Sequence, residues 1–222
     1  LVRHGLTNMT GPLLAGWTPD LHIDERGQKQ AAAVAERLKP VPFAAIVSSP
    51  LDRCLETAAA IAEGRDQQVD VDERIGECHY GDWTGKALKD LAKEPMWKVV
   101  QQHPSAAVFP GGEALRDTQN RAVAAVRDWN ARLGPDATWL ACSHGDVIKA
   151  IVADALGLHL DQFQRIMADP CSVTVITYTE TRPFVVRLND TGGGVAELLP
   201  AKKGRKRKSA DAAVGGGAGA DA

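Results

Sequence analysis

Two short segments set a histidine between a polar residue and a glycine: Arg3-His4-Gly5 at the start, and Ser143-His144-Gly145 past the middle. A third, Ser48-Ser49-Pro50-Leu51-Asp52-Arg53, adds a second arginine, and Glu77 stands in the glycine- and aromatic-rich stretch IGECHYGDWTG, residues 75 to 85. Arginine offers a rigid fork of donors matched to phosphate oxygens, so Arg3, Arg53 and two imidazoles can spread over the equatorial oxygens of a transferring phosphoryl group. The nucleophile in such a set is a histidine, since imidazole is competent near neutral pH, and Gly5 beside His4 would let the backbone approach a phosphate closely. A leaving alkoxide needs a proton. Glu77 is the preferred donor because its surroundings can raise a carboxyl pKa, whereas Asp82, between Gly81 and Trp83, suits a turn. His4, His144 and Glu77 would also make a two-histidine, one-carboxylate metal set. Two flanking arginines would repel a cation, and no metal is assigned.

These clusters need elements to bring them together. AAIVSS (44 to 49) reads as a short buried strand, followed after Pro50 by an amphipathic helix that ends on Gly64. The pattern recurs at TWLACS (138 to 143) and the helix DVIKAIVADALG (146 to 157). Residues 24 to 39 predict a helix capped by Asp24, and 113 to 133 a longer one closed by Gly134-Pro135. SVTVITYT and PFVVRLN, beginning at 172 and 183, are two late strands joined by a turn. The alternation predicts a three-layer α/β sandwich: a mostly parallel sheet with an antiparallel edge, and helices on both faces. In such a sheet the carboxyl ends of parallel strands converge on one edge, so all three polar clusters would share one crevice. Leu1-Val2 directly precedes polar residues, and the start of this first strand is expected to lie upstream.

The chain of 222 residues fits one domain over 1–190 and an appended tail. No apolar run approaches the roughly 20 residues that span a bilayer. No signal-type opening is present, and the four cysteines lack CxxC spacing, so reduced thiols in a cytoplasm are expected. KKGRKRK (202 to 208) holds six of the 26 basic residues, and 201 to 222 hold two of the 28 acidic ones. Residues 1 to 200 therefore carry 20 basic and 26 acidic groups, a net of −6, with no global bias toward nucleic acid. Residues 191 to 222 are expected to form a disordered Gly/Ala/Lys/Arg-rich arm that stays out of the cleft and whose removal leaves turnover unchanged. His22, His103 and His159 lie in no cluster and are expected at the surface. Trp83 is a candidate wall of the cleft.

In combination, RHG, SSPLDRCLETA, ECHYGDWTG, GGE (111 to 113) and SHGD resemble the histidine phosphatase superfamily, in its phosphoglycerate mutase-like branch, over about residues 1 to 190. The resemblance implies phosphorylation of His4, a phosphate pocket of Arg3, Arg53 and His144, and Glu77 as proton donor. Gly5, Thr7, Tyr80 and Gly145 join Arg3, Arg53 and His144 as expected substrate-binding residues. It implies neither metal nor organic cofactor, and a small phosphate ester as partner. The pattern departs at two places: Thr10 stands where the family has asparagine, and Leu6 where it often has glutamate. A phosphoglycerate mutase is the runner-up. Such enzymes carry an insertion with paired arginines, but here only 35 residues lie between Glu77 and Glu113, with no Arg-Arg pair, which favours hydrolysis. A non-catalytic phospho-ligand-binding protein is the third reading, and the presence of both His4 and Glu77 speaks against it.

Overall fold

A computed structural model describes residues 1–193 and 214–216. Its sheet has six strands: β1 (Val2–Arg3), β2 (Ile46–Ser48), β3 (Val69–Val71), β4 (Leu140–Ser143), β5 (Val173–Tyr178) and β6 (Pro183–Asp190), in the order β3-β2-β4-β1-β5-β6. The first four run parallel, while β5 pairs antiparallel with β1 and with β6. The late strand pair therefore forms the antiparallel edge that its short turn predicts. β3 was not foreseen, because three residues, VDV, are too few to show a period.

Side-chain alternation sorts the core into two layers. Ile46, Leu140 and Cys142 face one side, against α1 (Glu25–Leu38) and α2 (Asp52–Ala62), through Ala31, Val34, Ala58 and Ile61. Val47 and Ala141 face the other, against Ala125 and Trp129 of α3 (Leu115–Leu133). There α3 also packs on α4 (Gly145–Ala155) through Ala122, Val126, Val147 and Ile151. The predicted α/β sandwich is thus formed. Its helix termini follow local rules: the Asp24 carboxylate accepts from the Arg26 and Gly27 amides, and α3 ends on Gly134 at φ 89°. Two short helices, Leu88–Leu91 and Pro95–Gln102, fold within a segment that shows no clear period in sequence.

Parallel register does the essential positioning. Arg3 lies opposite Ser143 and Ser48 opposite Cys142, so the next residues along, His4, Ser49 and His144, emerge together at the carboxyl edge. The His4 amide donates to the Ser143 carbonyl at 3.0 Å and continues the ladder past the strand end. A roomier cavity of about 460 Å³ opens at the other end, near Leu1, Trp139 and Tyr178, away from every polar cluster. Among the described residues no helix is long and apolar enough to cross a membrane.

Part of the predicted tail departs from expectation. Val214 is buried in the apolar cluster that includes Leu14, and Gly215 and Gly216 lie against Arg3. For these three residues the solvated arm is corrected: valine has apolar surface to hide, and glycine backbone fits a narrow space. The basic run 202 to 208 and the rest of 194–213 and 217–222 lie outside the described residues.

Gly27 fixes how closely α1 approaches the loop after His4. A Cβ there would stand 2.2 Å from the Leu6 carbonyl oxygen and 2.8 Å from its nitrogen, both backbone atoms. Gly27→Ala is expected to cost about 1–3 kcal/mol, as overpacking typically does, read as a lower urea midpoint at unchanged slope.

Candidate active site

His4 leaves β1 with its ring held by its own turn: Nδ1 lies 2.7 Å from the Gly5 carbonyl oxygen. A carbonyl only accepts, so Nδ1 carries the proton and Nε2 presents its lone pair. That lone pair accepts from Arg53 Nε at 3.3 Å. Arg53 comes from the first turn of α2, and its Nη2 donates to the Gly16 carbonyl at 2.7 Å and to His144 Nδ1 at 3.2 Å. His144 Nδ1 is thereby the acceptor, and Nε2–H donates to Ser49 Oγ at 2.7 Å. The two imidazoles lie 5.2 Å apart between centroids. Burial, and after it the adjacent arginine charge, holds both well below the ordinary histidine range, so both are neutral at physiological pH. His4 is thus a neutral imidazole whose Nε2 lone pair accepts from the Arg53 guanidinium.

Arg3 Nη1 donates to the Ala168 carbonyl at 2.8 Å. Arg3 Nε and Arg53 Nη1 are buried and have no hydrogen-bond partner among the described residues. An unpaired buried donor costs about 1–3 kcal/mol, more when charged. Anionic oxygens at the cleft would satisfy that demand. Glu77 lines the same cavity as Arg3, His4 and Arg53. Its Oε1 accepts from the Cys78 amide at 2.9 Å, and Oε2 stands 3.9 Å from His144 Nδ1. Burial, reinforced by the nearby Asp146 charge, pushes its carboxyl up to about 7. At neutral pH it is therefore poised to give or take a proton.

The Glu77 loop is clamped from behind. Arg121 of α3 donates to the carbonyls of Arg74, Gly76 and Glu77, and pairs through two nitrogens with Glu113. Glu113 in turn accepts from the His79 amide at 2.9 Å. The sequence flagged GGE without a role, and the role is visible only once α3 lies beside the loop. Asp146 was missed as well. Its carboxylate takes the Tyr80 hydroxyl at 2.8 Å and the buried Lys149 ammonium at 3.2 Å. The SHGD motif carried that signal, since a charged residue in an otherwise apolar helix needs a partner.

The core of the expected set, Arg3, His4, Arg53, Glu77 and His144, is brought together. Four others stand elsewhere or act differently. Tyr80 is fully buried, edge-on to Phe109 and bonded to Asp146, so it braces the cleft floor without lining the cavity. The Thr7 hydroxyl pairs with Thr10 Oγ1 at 2.9 Å, and Thr10 is the residue of the two that lines the cavity. Gly5 serves the close approach of α1, since a Cβ there would lie 2.7 Å from the Gly27 carbonyl oxygen. Gly145 faces residues 215 and 216, with a Cβ position 2.8 Å from the Gly216 Cα. Trp83 packs with Trp97 and Phe109 in the core instead of walling the cleft, and Asp82 is an exposed turn residue. The cleft wall comes instead from Leu13, Leu14 and Leu88, on segments joined by the hydrogen bonds Leu14 N–H to Lys86 and Leu88 N–H to Pro12. His22, His103 and His159 are exposed, as expected.

With this geometry in place, the comparisons are specific. The profile of the histidine phosphatase superfamily (branch 1) matches residues 1–191. This chain belongs to that superfamily. Phosphoserine phosphatase 1 of Hydrogenobacter thermophilus is 32% identical over 201 residues, covering 86% of this chain and 91% of that protein. The probable phosphoglycerate mutase GpmB of Cronobacter sakazakii is 30% identical over 205 residues, covering 89% and 93%. Among solved structures, mycobacterial glucosyl-3-phosphoglycerate phosphatase Rv2419c superposes with a TM-score of 0.76 at 28% identity, covering 85% of this chain and 96% of that one. The fold described above is therefore that of the histidine phosphatase superfamily.

The raised carboxyl of Glu77 has a consequence for stability. Its pKa rises from an ordinary 4.5 to about 7 on folding, so between those values the unfolded chain is ionised while the native one keeps its proton. Stability contributed by this site falls as pH rises through that window and is flat above it. Glu77→Gln, which keeps the acceptor for the Cys78 amide, should raise the urea midpoint at pH 8 and leave it unchanged near pH 4. Equal midpoints at both pH values would show that the carboxyl is not so shifted.

Proposed function

We propose that this chain hydrolyses small phosphate monoesters through a phosphohistidine on His4. The observation that carries the reading is the neutral His4, with its Nε2 lone pair turned toward Arg53 in a cavity that also holds Arg3 and Glu77. The unpaired Arg53 Nη1 and Arg3 Nε are donors suited to phosphoryl oxygens, and His144, bonded to the same guanidinium, backs the site. In the first step Nε2 attacks phosphorus, the P–O bond to the alcohol breaks, and protonated Glu77 gives its proton to the leaving oxygen. In the second, ionised Glu77 takes a proton from water, whose oxygen attacks phosphorus, and the P–N bond breaks to release inorganic phosphate and neutral His4.

Phosphatase names among the relatives support hydrolysis, and the short connection between Glu77 and Glu113 supports it further. The GpmB likeness keeps a phosphomutase as the second reading. Release of inorganic phosphate across a panel of phosphorylated metabolites, run beside 3-phosphoglycerate with catalytic 2,3-bisphosphoglycerate, separates the two. Four free, buried thiols and a folded part of net negative charge support a cytoplasmic enzyme acting on small esters rather than on nucleic acid.

His4→Ala should abolish turnover of p-nitrophenyl phosphate together with the acid-labile phosphoenzyme trapped from labelled substrate; wild-type turnover in that variant overturns the mechanism. Glu77→Gln should slow alkyl phosphates by about 100-fold or more and p-nitrophenyl phosphate far less, since nitrophenolate needs little protonation to leave. Equal losses on both would remove Glu77 from the acid role.

A further inference from the structure

The cleft is already occupied by the chain itself. Arg3 Nη1 donates to the Gly216 carbonyl at 2.6 Å, and Nη2 to the Gly215 carbonyl at 3.2 Å. Two peptide oxygens thus sit on the two terminal nitrogens of one guanidinium, the fork that elsewhere grips two oxygens of a phosphate. The Gly215 amide donates to Asp146 Oδ2 at 2.9 Å, and the buried Val214 side chain joins the cluster around Leu14. Both glycines adopt φ of about +80°, at 80° and 84°. A Cβ on Gly216 would meet the Gly145 Cα at 2.9 Å and Arg3 Nη1 at 3.1 Å, so only glycine fits there. The space left among Arg3, His4, Arg53, Glu77, Val214 and Gly215 is about 20 Å³. That is room for one water at most and for no phosphate ester.

We propose that Val214–Gly216 is an intrasteric plug: a tail segment of this chain that binds the catalytic cleft as a peptide ligand and competes with the phosphate ester for Arg3. The inference rests on the reading of this cleft as the phosphatase site. The plug's contacts are weaker in kind than the substrate's, because neutral carbonyls replace an anion on the same guanidinium. Substrate therefore displaces it at sufficient concentration. The cost appears in KM, since the apparent affinity is the intrinsic one divided by the unplugged fraction. A segment docked about 90% of the time raises KM about tenfold, while kcat, measured after displacement, is unaffected. This replaces the expectation that the tail is indifferent to turnover.

The test uses the full-length chain with Val214→Asp, which places a charge in the apolar cluster, and separately Gly216→Val, which cannot approach Gly145. Both should lower KM for p-nitrophenyl phosphate severalfold with kcat within twofold of wild type. A synthetic peptide of residues 211 to 222 should then inhibit each variant competitively. Unchanged KM in both variants overturns the plug, and so does a fall in kcat/KM, which would make the segment part of the substrate site. If no chain turns over, the phosphatase reading fails by itself. The plug is then judged by calorimetric binding of inorganic phosphate, which should be tighter in the variants than in wild type; equal affinity overturns it.

Discussion

The Arg53 guanidinium donates at once to the ring nitrogens of His4 and His144 and to the carbonyl of Gly16, and the state of the whole cleft follows from that placement. Burial, and after it this fixed cation between the two imidazoles, makes protonation of either unfavourable, so His4 keeps its Nε2 lone pair. The same bonds orient both rings. Arg53 can do this because α2 begins directly after β2, which sets its first turn over the sheet edge. Thr57, one turn further on, takes the Gly5 amide and returns its hydroxyl to the Arg53 carbonyl, tying the helix to the loop after His4.

Around this cation the fold concentrates buried polar groups that are individually costly. Asp146 is the hub: it neutralises Lys149, receives Tyr80 and raises the Glu77 carboxyl by its charge. Removing one member of such a network leaves a buried group unpaired, so these residues are coupled in energy as well as in space. The Arg121–Glu113 pair works from the other side and holds the backbone of 74 to 79 in place. Glu77 is thereby mounted on a loop held by hydrogen bonds from behind, although the loop has no regular structure of its own beyond single 3₁₀ turns.

Among the described residues the cleft presents two arginines with unpaired donors, which attract acceptors of the right shape. The chain's glycine-rich end supplies peptide carbonyls at high effective concentration, since it is tethered to the same molecule. Glycine suits this because its bare backbone reaches into a gap that admits no side chain beside Gly145. The acceptors differ from phosphate in charge, which leaves the arrangement reversible by substrate.

The sequence by itself determined the local elements and the chemical types. The cap at Asp24, the stop at Gly134 and the strand-to-helix turns that carry Arg3, His4, Arg53 and His144 are each set by short-range rules of period, capping and turn chemistry. Parallel alternation was enough to infer that those ends converge. What only the tertiary structure decided depends on contacts between segments far apart in the chain. Where Tyr80 and Gly5 sit was not legible: Tyr80 lies edge-on to Phe109 with its hydroxyl on Asp146, and Gly5 lies against the Gly27 backbone. Arg121 acquired its role from a loop some 45 residues away. The Val214–Gly216 segment shows the limit most plainly: composition measures how little apolar surface a tail can bury, but not whether three residues of it match the shape and charge of a cleft more than 200 residues earlier.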